Sequence, residues 1–171
     1  MVNCNNLYER LEFEKSQINS ANILYEKMGL TNVRRSTYHS DGGCENKHYR
    51  IDMICRDPNG KLIKVCEIFR SYDWDDMMLE YERDYGGCTK RMHYVVDYIF
   101  YHTPETLYII NWKSGELPDP VSRINQKSPY EHKEISQWIC GQEVWTSRLA
   151  IMKWSEVNKY LKINKINKTC N

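Results

Sequence analysis

The most constraining stretch of this chain is a turn. Asp57-Pro58-Asn59-Gly60 separates two runs rich in strand-forming residues, HYRIDMICR before it and KLIKVCEIFR after it. Proline presets one turn angle, and asparagine or glycine accepts the positive angle that follows, so Tyr49 to Arg70 reads as a β-hairpin. A hairpin with apolar residues on both arms needs a sheet beside it and something packed against that sheet. If the loop closes without a bulge, Arg56 faces Lys61 and Asp52 faces Val65. Strand parity then places Val65, Glu67 and Phe69 on the face of Asp52.

The segments around the hairpin extend the pattern. Leu7, Leu11, Ile18, Ala21, Tyr25 and Met28 recur at helical spacing, and Gly29 supplies a left-handed stop. LTNVRRST reads as a short strand, followed by the polar loop HSDGGCENK. The segment SYDWDDMMLEYERD reads as a helix, with Asp73, Asp75 and Asp76 at its positive end and Trp74, Met77, Met78 and Tyr81 as its stripe. HYVVDYIFYH and LYIINW form a second hairpin around Thr103 to Thr106. A strand from Val144 to Lys153 and a helix begun by Ser155 complete the pattern.

The expected fold class is therefore α/β of the α+β kind, a single domain with a central mixed sheet flanked by helices. Its core runs from residue 7 to 112 in the order αβββαβ. Residues 113–142 read as an irregular surface insertion, 144–162 as a strand and helix, and 163–171 as a polar tail.

The totals narrow the function classes. A length of 171 residues with 41% hydrophobic and 27% charged residues suits one domain with a real core. No stretch approaches the ~20 apolar residues of a membrane helix, and the start of the chain lacks a basic and then apolar leader. Seven cysteines form an odd, irregular set, the pattern of reduced thiols, so the expected location is cytoplasmic. A net charge of +1 leaves nucleic-acid contact to local clusters such as Arg34-Arg35, Lys90-Arg91 and the C-terminal lysines. No nucleophile elbow, metalloprotease helix or glycine-rich phosphate loop is present. Cys44, His48, Cys88 and His93 are zinc-capable, but not at knuckle spacing.

Two polar groups stand on the buried hairpin, Asp52 and Glu67. As diagonal neighbours in a sheet, their Cα atoms would lie roughly 7–8 Å apart, within reach of one hard divalent ion. Magnesium held there could activate a water against a phosphodiester. The alternative is structural: Asp52 pairs with Arg50 or Arg34, and Glu67 with another cation.

With Ile51-Asp52, Asp57 to Lys61 and Val65-Cys66-Glu67-Ile68-Phe69 in this order, residues 7 to 102 resemble the core of the PD-(D/E)XK nuclease superfamily. The resemblance implies a restriction-endonuclease-like fold, a magnesium or manganese cofactor, and DNA as the substrate class. It makes Asp52 and Glu67 metal ligands and gives Glu14 on the first helix, or its rival Glu12, the place of an accessory acid. The pattern is broken at Phe69, where the family carries a lysine, and Arg83, Lys90 or Arg91 would then have to supply the positive charge. Two functions follow as expectations. One is a metal-dependent endonuclease acting on DNA, with Asp52, Glu67, Arg83 and Lys90 in the catalytic set. The other is a catalytically inactive nuclease-fold module that binds nucleic acid or a protein partner, a second copy of the chain included.

Overall fold

A computed structural model describes residues 7–36, 49–85, 87–120, 128–139 and 142–168. The fold is mixed α+β, with two α-helices and two sheets among the described residues. The first helix, α1 (Leu7–Lys27), ends at Gly29, whose φ of 77° is the left-handed stop expected there. Strands β1 (Thr31–Arg35), β2 (Met53–Arg56) and β3 (Leu62–Phe69) then form an antiparallel meander. β6 (Tyr98–His102) lies parallel to β3, and β7 (Thr106–Asn111) pairs with β6 as the second expected hairpin.

The chain between β3 and β6 corrects the sequence reading. Residues 76 to 85 are not a helix but strand β4 (Asp76–Tyr85), which pairs with β5 (Cys88–Arg91). Met77, Leu79 and Tyr81 are buried while Met78 and Glu80 between them are less so, a period of two that the acidic residues before it obscured. Long-range pairing with β9 (Gln142–Lys153) outweighs the local helical preference of the segment. The αβββαβ order therefore fails at its second helix, and a second sheet, in which β4 lies between β5 and β9, takes that helix's side of the core.

Two further expectations change. Part of the 113–142 excursion is strand β8 (Glu131–Ile139), paired with β9. Part of the C-terminal tail is strand β10 (Asn164–Asn167), which pairs with β7 and completes a six-stranded sheet ordered β1-β2-β3-β6-β7-β10. In the KINKIN repeat Ile163 is buried and Ile166 packs on the core, so the isoleucines hold the strand down while the lysines face water. Helix α2 (Trp154–Tyr160) follows β9 as expected, with Trp154 and Val157 buried. No described helix is long and apolar enough to cross a membrane.

Each face of the six-stranded sheet has its own core. Ala21 and Tyr25 of α1 pack with Met53, Cys55, Ile63, Val65 and Phe100 on one face. On the other face Cys66, Ile99, Tyr101 and Ile110 meet Met77, Leu79 and Met152 of the second sheet. The strand assignment of β4 is testable by its alternation. Met77→Ala and Leu79→Ala, both at 0% exposure, should each cost about 2–5 kcal/mol of unfolding free energy in urea melts, and Met78→Ala markedly less. A helical β4 segment would give no such alternation.

Candidate functional site

The hairpin closes one residue later than the simplest loop allows. Arg56 pairs with Leu62 and Met53 with Val65, because the Asp57 N–H is bonded to the Lys61 carbonyl inside a longer turn. The Asp57 carboxylate accepts the backbone N–H groups of Asn59 and Lys61 and fixes that turn. This slip changes the expected partners, setting Met53 rather than Asp52 opposite Val65 in the ladder. By strand parity Glu67 falls with Ile63 and Val65 on the face of α1, while Ile51 and Cys66 pack in the core of the other face.

The two acids nevertheless meet, by a different route. The Asp52 N–H reaches the Val65 carbonyl at 3.0 Å, so Asp52 and Met53 both address Val65 and the ladder is irregular there. The next donor of β3, the Glu67 N–H, is accepted by the Asp52 carboxylate itself at 2.8 Å. Two residues upstream, Arg50 adopts φ 54°, a left-handed conformation that costs a residue bearing a Cβ about 1–2 kcal/mol. Ion pairing to Glu80 at 3.5 Å and a position over the Tyr94 ring hold it there. Strain of this kind at the entrance to a strand marks a site whose surroundings determine its shape.

The Glu67 side chain is 3% exposed. Its Oε1 accepts the Tyr25 hydroxyl at 2.7 Å, and its Oε2 accepts Nη1 of Arg35 on β1. A second guanidinium nitrogen of Arg35 donates to Asn22 of α1 at 2.7 Å. Since the single Tyr25 hydroxyl proton goes to Glu67, the His102 Nε2 at 2.6 Å donates to that oxygen. Burial raises the Glu67 carboxyl above the ordinary range, and the Arg35 charge and the two hydrogen bonds oppose that rise. Burial likewise pushes the Tyr25 hydroxyl up and the His102 imidazole well down, so both are neutral near pH 7.

Asp52, Glu67, Arg35 and Arg50 open onto one pocket of about 170 Å³ that Glu14, Glu80 and Arg83 also line. Glu80 comes from β4, beside the register shift between Glu80 and Glu82. Arg83 clamps it with two bonds of 2.8 and 2.6 Å, and the Ser147 hydroxyl adds a third at 2.6 Å. Burial opposes its ionisation, but these partners and Arg50 outweigh it and lower its pKa. Glu14 lines the pocket, while its rival Glu12 is paired in solvent with Lys15.

Of the expected site residues, Asp52, Glu67, Glu14 and Arg83 are brought together. Lys90 is not: it stands on β5 opposite Arg83 and does not line the pocket. Phe69 lines the pocket and stacks on His102 at 4.7 Å. Sequence reasoning missed Arg35, Arg50, Glu80, Tyr25 and His102 as a set. The Arg34-Arg35 doublet was a visible signal, and the expectation that Glu67 pairs with a cation is met by Arg35. Cys44 and His48 of the zinc option lie outside the described residues.

A divalent ion suits the chemistry of the carboxylates but not their arrangement. Both Glu67 oxygens already have side-chain donors, and among the described residues no three His, Cys, Asp or Glu side chains are grouped to hold a metal. The residues as placed do not fit magnesium or manganese.

Comparison of the chain with protein-family models, with curated proteins and with solved structures finds no match.

Neutral, buried His102 makes stability pH-dependent. Its folded pKa lies well below the usual 6.5, so its contribution is complete above that pH and is lost as pH falls through the window beneath it. Thermal melts should show Tm dropping between pH 7 and pH 5, and His102→Gln should flatten that drop. An equal slope in the variant would assign the acid sensitivity elsewhere.

Proposed function

We propose that this chain is a nuclease-fold module that binds the phosphate backbone of DNA without cleaving it. The observation that carries the reading is the Glu67 carboxylate, buried and saturated by Arg35 and Tyr25 where a nuclease of this kind needs an open metal ligand. The Phe69 ring removes the cation of the family motif as well. Support for the fold comes from strand order: α1, the β1-β2-β3 meander, and β6 parallel to β3 follow the order that the resemblance implies. The connection from β3 to β6 differs, running through β4 and β5.

Support for an anionic ligand comes from the guanidinium groups. Arg35, Arg50 and Arg83 line the same pocket. A phosphate oxygen is an acceptor of matching charge and geometry for such groups. Because the pocket also holds four carboxylates, binding would be local and modest, without the long-range attraction of a strongly basic protein.

The second reading, a magnesium- or manganese-dependent endonuclease, is favoured by one observation. Asp52, Glu67, Glu14 and Arg83 all border one pocket. Asp52 and Glu67 would hold the ion and Arg83 would face the phosphate, provided that Glu67 is released from Arg35.

Fluorescence anisotropy with labelled single- and double-stranded DNA, in EDTA and in magnesium, separates the readings. The module binds equally in both buffers, cleaves nothing, and in Arg83→Gln shows a salt slope smaller by about one. Absence of binding in EDTA overturns it. Metal-dependent cleavage that disappears in both Asp52→Ala and Glu67→Ala establishes the endonuclease.

A further inference from the structure

We infer that Arg35 is a built-in cation standing where a divalent ion would have to sit, so that the carboxylates of Asp52 and Glu67 form a latent metal site closed by one guanidinium. Three placements carry this. The Arg35 side chain is anchored from both sides, to Asn22 on α1 and to Glu67 on β3. Its backbone is fixed too: Arg35 pairs with Met53, and the next residue, Ser36, donates its N–H to the Asp52 carbonyl and its hydroxyl to the Ile51 carbonyl. The guanidinium is thereby held against Glu67 beside the residue whose carboxylate accepts the Glu67 N–H.

The chemistry of exchange is plain. Glu67 is too deeply buried to remain charged without a counter-ion, and Arg35 meets that need inside the fold. A metal ion would have to expel the guanidinium from Glu67 while Asn22 still holds its other nitrogen. Without the guanidinium the carboxylate is left uncompensated, with an acidic neighbour beside it, and a small hard cation is the complement of that vacancy. In this view the chain's divergence from a metal-dependent site lies as much in β1, at Arg35, as at Phe69.

The test uses the full chain, with free Mn²⁺ followed by electron paramagnetic resonance and Tm followed in parallel. The wild type should show no saturable Mn²⁺ site and no Tm shift with the metal. Arg35→Gln should gain a saturable site, melt lower without metal and recover Tm when Mn²⁺ is added. Adding Glu67→Gln to that variant should abolish the gain. Asn22→Ala, which keeps Arg35 but loosens its anchor, should bind Mn²⁺ more weakly than Arg35→Gln and serves if the latter does not fold. Saturable binding by the wild type that depends on Asp52 and Glu67 overturns the inference, as does a folded Arg35→Gln or Asn22→Ala protein that binds none. The inference stands apart from the DNA reading, because anisotropy in EDTA reports on phosphate binding whatever the Mn²⁺ result.

Discussion

A buried carboxylate organises this end of the molecule. Glu67 sits near the end of a strand, after the buried Ile63, Val65 and Cys66, and its charge there is tolerable only with donors on both oxygens. Supplying them sets the positions of several elements at once. α1 must bring Tyr25 and Asn22 across the sheet, β1 must deliver Arg35 at its last residue, and β6 must place His102 behind the tyrosine. A one-residue slip of any of these strands would leave the carboxylate without its counter-charge, so the polar network and the sheet register specify each other.

The second sheet repeats the solution around Glu80. Arg83 and Ser147 hold its carboxylate from the β4-β9 ladder, and Arg50 reaches it from the loop before β2. Arg50 is thus the link between the two sheets at the pocket, and its left-handed backbone is the local cost of making that link. With acids and guanidiniums paired in this way, the pocket's charges are arranged to satisfy each other. An anionic ligand would have to compete for the arginines, whereas a metal would have to displace Arg35 from Glu67.

Much of the sheet could be read from the chain because turns and alternation are local. Asp57 to Gly60, the Tyr98–His102 and Thr106–Asn111 arms, and Gly29 after α1 each carry their own signal. What escaped depends on distant partners. The β4 segment has an acidic opening typical of a helix and becomes a strand through pairing with β9, about 70 residues later. The KINKIN stretch looks solvated until β7 is available to pair with it. Within the site, Asp52 and Glu67 were legible as acids on a hairpin, but their contact was not. It depends on a turn one residue longer than assumed and on a carboxylate replacing a backbone acceptor. Arg35 was visible only as part of a basic doublet, since nothing in linear sequence says which of two adjacent arginines faces inward.

The account rests on Arg35 holding the cation position at Glu67. Its most direct test is an anomalous-difference map from crystals of the full chain grown with Mn²⁺. The account predicts no peak between Asp52 and Glu67, with the Arg35 guanidinium seated on the Glu67 carboxylate. A manganese peak within coordination distance of both carboxylates, about 2.0–2.3 Å, with Arg35 displaced, would contradict it.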